Sequence, residues 1–587
     1  MDSILSYIKS PLSFSNVGKK VIFNAAVESY REYIEPTKVY THKIQLLFAP
    51  YGLPFIPLEI VGTDAGTIIS SFSWTKDRSN PGGMLSLELQ PDSRIIEDMV
   101  KILNKISGNL YSKIWGTLGV DLEDLFKPMT LCQFWIDGLH VMTGTVRSCH
   151  RSARIGDKDF TNSYTLSIDE LGNIYTRNTM RFDTIVSSLS LANYFDSNTK
   201  ILTAVANLKM VPLSEGIPVL VNAFIASGLF EQGMSLSDGV PLSLRLIAAP
   251  DPLGAIARIA FGMNLQMNAN MFGLEGQSFW DFMKNFIPSP WMEFFTESGG
   301  RTMVNNPWGI PSIMFPGFNY VVARSVPYSN PILGVINPAH YAQTFLYELN
   351  ALTLLIGGDF VIITDDDIID KTLGFDCSNQ ATSFRANYAG QPVTPANSQD
   401  KPIQTIGPMN PFASGGMNTF GKIEMMQTIN AVQMYDAGVG LDYASRIAEN
   451  GISFPGIMSK QALSNLLAVW YRNQSKFREG TITTRILPQA RAGMYLLYLP
   501  TWSGKKVENI RDIGIYYIDS LSHQMNVGGH DVSATTTFNV IRGLPLPSTI
   551  AQTALLLFDF EIIPPVSGLW DGEFKILQTA RKALMGI

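Results

Sequence analysis

Met84-Leu85-Ser86-Leu87-Glu88-Leu89 alternates apolar with polar residues, and a period of two predicts a strand with one buried face. The preceding Asn80-Pro81-Gly82-Gly83 reads as a turn. Apolar-rich segments 131–136 and 139–146 flank Asp137-Gly138. A two-residue Asp-Gly link tolerates positive φ at both positions and predicts a type I′ hairpin. Segment 163–168 sets Tyr164, Leu166 and Ile168 against Thr165 and Ser167, another half-buried strand. With strands expected at 43–48 and 68–74, these make a β-rich block over about residues 40–174. A helix is predicted inside it over 94–106, where Ile95, Met99, Ile102 and Leu103 share one side.

A second β-rich block lies far along the chain. It follows a predicted helix over 459–477, whose Leu463, Leu466, Leu467 and Trp470 fall at i, i+3, i+4 and i+7, with Gly480 expected as its C-terminal cap. Strands are predicted at 481–486, 494–498, 513–523 and 532–540, the last two joined through 526–531 with Gly528-Gly529 inside. Between the blocks, residues 181–331 look mixed. Trp280, Phe282, Met283 and Phe286 have helical spacing, stopped by Pro288, and Trp291 to Phe295 continue an aromatic cluster read as core rather than as a sugar-binding shelf. Proline, glycine, asparagine and serine accumulate over 392–421, predicting a long loop suited to contact with a neighbouring subunit. No repeat of 20–50 residues is visible, which sets solenoids and propellers aside.

Composition narrows the function classes. A chain of 587 residues has room for roughly four domains of ~150. Charged residues are 16% of it, against a usual share of about 25%, so the solvated surface is lean. Surface hidden in subunit contacts would explain that, and so would the smaller relative surface of a large monomer. A net charge of −6 offers no basic face for phosphates and argues against sequence-specific nucleic-acid binding. Cys132, Cys149 and Cys377 match neither zinc-ligand nor redox spacing and read as reduced structural thiols. The opening Met1-Asp2-Ser3 has no basic flank and apolar run, so no secretory signal is read and folding in a cytoplasm is expected. The uncharged run 544–558 contains Pro545 and Pro547 and falls short of the ~20 residues of a span, while 217–230 suits a buried helix.

Candidate chemistry is sparse. Gly416-Met417-Asn418-Thr419-Phe420-Gly421-Lys422 fits G-x-x-x-x-G-K, but Ile423 stands where a magnesium-binding hydroxyl belongs and no apolar strand precedes it. Asp365-Asp366-Asp367 with Asp370 could offer carboxylates to a hard cation but lacks the calcium-loop spacing, so a solvated turn or helix start is the expectation. His523, one of six histidines, is expected to be packed in a strand rather than to act as a general base. No Gly-x-Ser-x-Gly elbow or His-Glu-x-x-His pair occurs. No catalytic, cofactor-binding or metal-binding residue is therefore assigned, no cofactor is expected, and a non-enzymatic role is.

Several segments, in order, resemble the hub proteins at the centre of contractile-tail baseplates, which share their fold with the body of valine-glycine-repeat spikes in type VI secretion. In the first block these are Trp74, Pro81-Gly82-Gly83, the strand 85–89, Phe134-Trp135-Ile136-Asp137-Gly138 and Thr143-Gly144-Thr145-Val146. In the middle, Trp280 to Phe295 and Val321-Val322-Ala323-Arg324-Ser325-Val326-Pro327-Tyr328 are similar to the family's tryptophan helix, Pro-x-x-Glu-Phe-Phe turn and Arg-Pro-x-Pro-Phe strand, with Ser325 where a proline is expected. In the second block they are Ile362-Ile363-Thr364-Asp365, residues 381–386, Ile486-Leu487-Pro488, Ala492-Gly493, the Tyr-rich strand closing in Ser522-His523 and the Thr-rich strand closing in Arg542-Gly543.

The resemblance implies a β-rich α+β multidomain chain with two tail-tube-like β-barrel or sandwich modules and mixed α/β middle domains, assembling as a pseudo-hexameric trimer ring. The expected division is an N-terminal arm 1–39, a first tube-like domain 40–180, a mixed domain 181–331, a second tube-like domain from 332–440 and 441–543, and a C-terminal arm 544–587 that touches neighbouring baseplate proteins. The implied function is a homotrimeric symmetry adaptor joining a hexameric tail tube to a trimeric central spike and lining the DNA channel, located in the virion baseplate. Wedge or other baseplate proteins and the tape measure protein are further candidate partners. A hexameric tube and a trimeric spike cannot mate through equivalent contacts, whereas three chains with two similar modules each present six tube-like surfaces. A cell-wall hydrolase on a β scaffold, and the hub or receptor-binding platform of a non-contractile tail or secretion spike, are the alternatives.

Overall fold

The Asp137-Gly138 turn has φ of 52° and 77°, the left-handed pair that a type I′ hairpin requires. It joins β5 (Leu131–Ile136) to β6 (Leu139–Ile155). The Asp137 carboxylate also fixes the start of β1 (Ile44–Ala49), accepting from Lys43 N–H at 2.7 Å and meeting His42 Nδ1 at 2.8 Å. With β2 (Leu58–Gly62), β3 (Ile69–Asp77), β4 (Met84–Leu89) and β7 (Phe160–Glu170), these strands line up as β2-β1-β5-β6-β7-β4-β3. The computed structural model describes residues 42–49, 58–62, 69–90, 122–155, 160–177, 211–212, 236, 240, 244–248, 266–267, 277–286, 292–299, 301–304, 311–325, 360–376, 378, 380–381, 383–388, 403–404, 423–429, 477–499, 512, 514–528 and 531–545. The helices predicted at 94–106 and 217–230, the phosphate-loop-like 416–422, Cys377, the two terminal arms but for Leu544 and Pro545, and all but Phe477 of the helix predicted at 459–477 lie outside those residues.

Two short helices, α1 (Leu122–Leu125) and α2 (Ile174–Arg177), flank this first sheet. The middle region contributes β8 (Leu246–Ala248), α3 (Phe279–Phe286), β9 (Met292–Ser298) and β10 (Asn319–Ser325), with β9-β10-β8 forming a three-stranded sheet. Ser278 caps α3: its Oγ accepts from Asp281 N–H at 3.1 Å, as an N-cap serine does, and its hydroxyl donates to the Asp281 carboxylate at 2.6 Å. Trp280 of α3 packs on Phe294 with ring centroids 4.8 Å apart, consistent with the core reading of the aromatic cluster. Glu293-Phe294-Phe295, read as a turn, lies instead inside β9. Its aromatic residues are strand formers, and both faces of the strand are covered.

The second β-rich block supplies β11 (Phe360–Thr364), β12 (Ile368–Phe375), β13 (Arg478–Arg485), β14 (Tyr495–Leu499), β15 (Gly514–Gly528) and β16 (Asp531–Pro545). Gly480 does not cap a helix. It sits within β13 at φ 147°, where the ladder to β16 shifts register and a Cβ would lie 1.9 Å from the Thr372 carbonyl oxygen, so glycine serves a close strand approach there. Leu544 and Pro545, expected to open the C-terminal arm, end β16 opposite Ile515 and Gly514. Within the loop predicted at 392–421, Ile403–Gln404 form a short strand paired to Ser383–Tyr388.

Strand order reveals a duplication. The first module runs β1-β5-β6-β7-β4-β3 and the second β11-β14-β15-β16-β13-β12. Pairing the two lists position by position (β1 with β11, β3 with β12, and so on to β7 with β16) also preserves order along the chain. Two of the register shifts match as well. The β3–β4 ladder slips between Ile69 and Ser71, and the β12–β13 ladder between Ile368 and Asp370. The β6–β7 ladder slips between Val146 and Ser148, and the β15–β16 ladder between Ile518 and Ser520. Bulges locally bend and twist a sheet, so the two sheets share two of their bends, while the shifts at Phe134/Trp135, Ile515/Tyr517 and Arg478/Gly480 belong to one module each. Each sheet curls until strands four places apart touch. Phe72 of β3 meets Phe134 of β5 at 5.1 Å between ring centroids. At the equivalent positions Lys371 of β12 donates to the Tyr498 hydroxyl of β14 at 2.6 Å.

One strand departs from the scheme: β1 is antiparallel to β5, whereas β11 is parallel to β14. Only Asp365, Asp366 and Asp367 separate β11 from β12, while the first module inserts the β1–β2 hairpin before β3. Thus β11 runs in the direction of β2. The modules are not separate bodies, because β3 pairs antiparallel with β15 from Ser71↔Asn526 to Asp77↔Ser520. All thirteen strands therefore belong to one sheet with one continuous apolar core.

Candidate functional site at the seam of the two modules

The seam is built from an alternating pattern on both strands. On β3, Phe72, Trp74 and Lys76 point inward, and on β15 Leu521, His523 and Met525 do the same. Trp74 and His523 face each other in register and stack with ring centroids 5.0 Å apart and planes 16° from parallel. His523 Nδ1 lies 2.9 Å from Thr536 Oγ1. Complete burial, reinforced by the Arg491 charge, lowers the His523 pKa to about 3, so the ring is neutral. The expected strand histidine is thus a packing element of the seam.

The inward lysine of β3 has a buried partner. Lys76 Nζ meets Glu170 Oε2 at 2.6 Å with both side chains 1% exposed. Glu170 also accepts from Gly83 N–H and from the Ser298 hydroxyl, each at 2.6 Å. Burial raises its carboxyl pKa, but the Lys76 charge and the bonds from Lys76, Ser298 and Gly83 outweigh burial and hold it below the ordinary glutamate value. The Gly83 of the sequence motif thereby brings its backbone to a carboxylate, and a Cβ there would sit 2.7 Å from the Thr75 carbonyl oxygen.

Strand β9 fastens the middle region to both modules by alternation. Thr296 and Ser298, on one face, reach the first module: Thr296 bonds Lys76 Nζ at 3.2 Å and the Pro81 carbonyl, and Ser298 bonds Glu170. Glu293 and Glu297, on the other face, reach the second. Glu293 accepts from the Tyr517 hydroxyl at 2.5 Å and pairs with Arg78, which itself pairs with Asp519 at 2.9 Å across the seam. Glu297 pairs with Arg491 at 3.3 Å, both 3% exposed. Arg491 donates to the Pro488, Ala490 and His140 carbonyls, the last in the first module. His140 donates from Nδ1 to the Gly299 carbonyl and accepts the Thr143 hydroxyl at 2.8 Å. Burial, then Arg491, lowers its pKa to about 4.

Chemically this arrangement locks the middle region to both modules. Its charges are paired with one another, Lys76–Glu170 and Arg491–Glu297 in full burial and Arg78–Asp519 at the edge, and buried pairs of this kind fix geometry more than they add net stability. The four aspartates read as a cation candidate are dispersed in the same way. Asp367 is buried and accepts from Thr364 N–H and Oγ1, each at 2.9 Å. Burial raises its pKa. Asp365 faces Lys371 at 3.5 Å and takes the Tyr498 hydroxyl, while Asp370 sits exposed on β12. The expected turn is present, but Asp367 is not solvated. Among the described residues no group of three or more His, Cys, Asp or Glu is arranged to hold a metal ion, and no helix is long and apolar enough to cross a membrane. Cys132 and Cys149 share no disulfide.

The sequence pointed to Trp74, Gly83 and His523 as motif members without showing that they meet. Glu293 was read only as a member of the Pro-x-x-Glu-Phe-Phe segment, and Glu170, Arg491 and Glu297 were missed altogether. Isolated charges carry no periodic signal. The one available hint was the pair Glu293 and Glu297, four positions apart around the aromatic Phe294 and Phe295.

No protein-family model matches the sequence, and no curated protein does. Among solved structures the chain is similar to a 43 kDa tail protein of prophage MuSo2 from Shewanella oneidensis, with 9% identity, 86% of this chain and 100% of that one covered, and a TM-score of 0.40. A tail protein from Neisseria meningitidis covers 86% of this chain and 97% of its own at 8% identity and a TM-score of 0.36. A PdpA–VgrG complex from Francisella covers 92% and 67% at 11% identity and a TM-score of 0.35. These neighbours are phage tail and secretion-spike proteins.

Proposed function

We propose that this chain is a structural hub subunit of a phage-type contractile tail, a homotrimer that matches a sixfold tube to a threefold spike. The duplicated module carries the reading: six strands repeat in chain order and in sheet order, with two register shifts shared between the copies. A chain with two equivalent modules turns three subunits into six similar surfaces, which is what a three-to-six adaptor needs. The ordered motifs that resemble hub proteins fall where they support this. The Asp-Gly hairpin, the Thr-Gly-x-Val segment and the strand 85–89 build the first module, and the Ser-His and Arg-Gly strands build the second.

The water-facing side of the central strands fits a channel lining. Ser71, Ser73 and Thr75 of β3 lie beside Ser522, Gln524 and Asn526 of β15, and Thr535, Thr537 and Asn539 continue the pattern on β16. These hydroxyls and amides neither bind phosphates tightly nor repel them, and the charges at their margin, Glu88 opposite Ser71 and Arg485 opposite Thr535, are of both signs, so DNA could slide past. The buried, mutually paired ionisable groups of the seam support a non-enzymatic role.

Partners are then the tail tube, the central spike and neighbouring baseplate proteins. Co-expression with the tube and spike proteins of the same tail, followed by sedimentation, is expected to bring all three down in one particle with this chain between them. Recovery of the chain alone would count against the reading, as would clearing of bacterial cell walls by the purified chain.

A further inference from the structure

In the single chain, the outer edge of β3 is occupied by residues 520–526 of β15. The duplication says what lies at the corresponding edges of the other module copies. The equivalent of β3 is β12, which ends the sheet: it pairs with β13 on one side and with no described strand on the other. The equivalent of β15 over 520–526 is β6 over 148–154. There β6 pairs with β7 on one side, while its ladder with β5 stops at Thr145. One chain thus carries both halves of a second seam, too far apart in sheet order to satisfy each other.

We propose that β12 of one copy pairs antiparallel with residues 148–154 of β6 in a second copy of this chain, repeating between chains the β3–β15 seam found within one. The bulges fix the register. Matching Ile69 with Ile368 and Val146 with Ile518 converts the observed Asp77↔Ser520, Ser73↔Gln524 and Ser71↔Asn526 into Asp376↔Ser148, Thr372↔Ser152 and Asp370↔Arg154. The last sets opposite charges across the strands, a favourable cross-strand pair. Exposure fits: Phe375, 62% exposed, comes opposite Cys149, and its counterpart Lys76, held in the internal seam, is 2% exposed. A strand edge with exposed Ile369 and Phe375 is a liability in a free subunit and an asset in an assembly. On β6 the Arg151 N–H points away from β7 and donates to Glu123 Oε1 at 3.0 Å, an exposed bond that a strand partner replaces.

The two edges differ, so the contact is head to tail and either closes a ring or propagates. This inference rests on the trimeric hub reading, which sets closure at three chains. Because the Arg151 N–H faces the new partner, Ser152 and Thr372 form a non-hydrogen-bonded pair, where Cα atoms lie ~4.5 Å apart and side chains are closest. Both side chains are exposed, so cysteines there leave the core untouched. The full-length chain carrying Ser152→Cys together with Thr372→Cys, oxidised and run without reductant, is expected to shift from one chain mass to two and three. Each single variant and the unaltered chain stay at one, and mixing Ser152→Cys chains with Thr372→Cys chains gives the two-chain product. Native mass of the same samples reads the assembly separately. A trimer without the cross-link overturns the strand pairing and leaves the hub reading standing. Absence of a trimer overturns both.

Discussion

Replacing Lys76 with Met is expected to lower the unfolding free energy by about 3–5 kcal/mol at neutral pH, the usual cost of leaving one buried charge without its partner. Glu170 would keep its bonds from Gly83 and Ser298, but not the cation 2.6 Å away. The pH dependence follows from the direction of its shift. In the unaltered protein Glu170 titrates below the ordinary value, so its contribution is full above the unfolded pKa and is lost as pH falls through the folded one. In Lys76→Met burial is no longer opposed by that charge, and Glu170 takes up a proton at higher pH. The deficit of the variant should therefore shrink on acidification, and Lys76→Met with Glu170→Gln should recover most of it. Urea unfolding across pH 5–8 checks this. A deficit under 1 kcal/mol, or one that does not change with pH, would remove the buried pair from the account.

Trp74→Ala should cost a similar amount, about 3–5 kcal/mol, through lost apolar burial and the cavity left behind. Trp74 is 1% exposed and spans the seam to His523. The loss should also be read as lost coupling. Fluorescence probes placed in the first and second modules are expected to unfold together in the unaltered chain and at separate urea concentrations in the variant, since coincident transitions mark a single cooperative unit. Thr75→Ala, one residue away on the exposed face, should change stability by less than about 0.5 kcal/mol. Equal effects from the two substitutions would mean that the seam is not where the modules are joined.

Much of the two sheets was legible because alternation and turn chemistry are local. The 84–89 strand, the Asp137-Gly138 hairpin and the paired strands ending near His523 and Val540 all announce themselves in a few residues. The duplication leaves no internal repeat in the sequence and was expected only through the resemblance, although it is the dominant feature of the fold. Equivalent positions hold different residues: Phe72 answers to Lys371, Trp74 to Leu373 and Leu85 to Gly480. A curled sheet constrains direction, bulge position and contact, and it can meet those constraints with a ring pair in one module and a lysine–tyrosine bond in the other. Sequence similarity between copies is therefore free to vanish while the architecture remains. Gly480 misled for a related reason. Glycine after an amphipathic run signals a helix end, but here its missing Cβ admits the Thr372 carbonyl, a long-range contact that no local window contains. The site was the least legible part, since Lys76 finds Glu170 94 residues away, Glu293 finds Tyr517 224 residues away and Arg491 reaches Glu297 on β9.

Electron-microscope images of the purified full-length chain test the central claim most directly. The account predicts end-on particles with threefold symmetry in which six lobes of similar size surround one opening, each chain supplying two neighbouring lobes. Single-chain particles, or a closed assembly whose lobes number other than six, would contradict it.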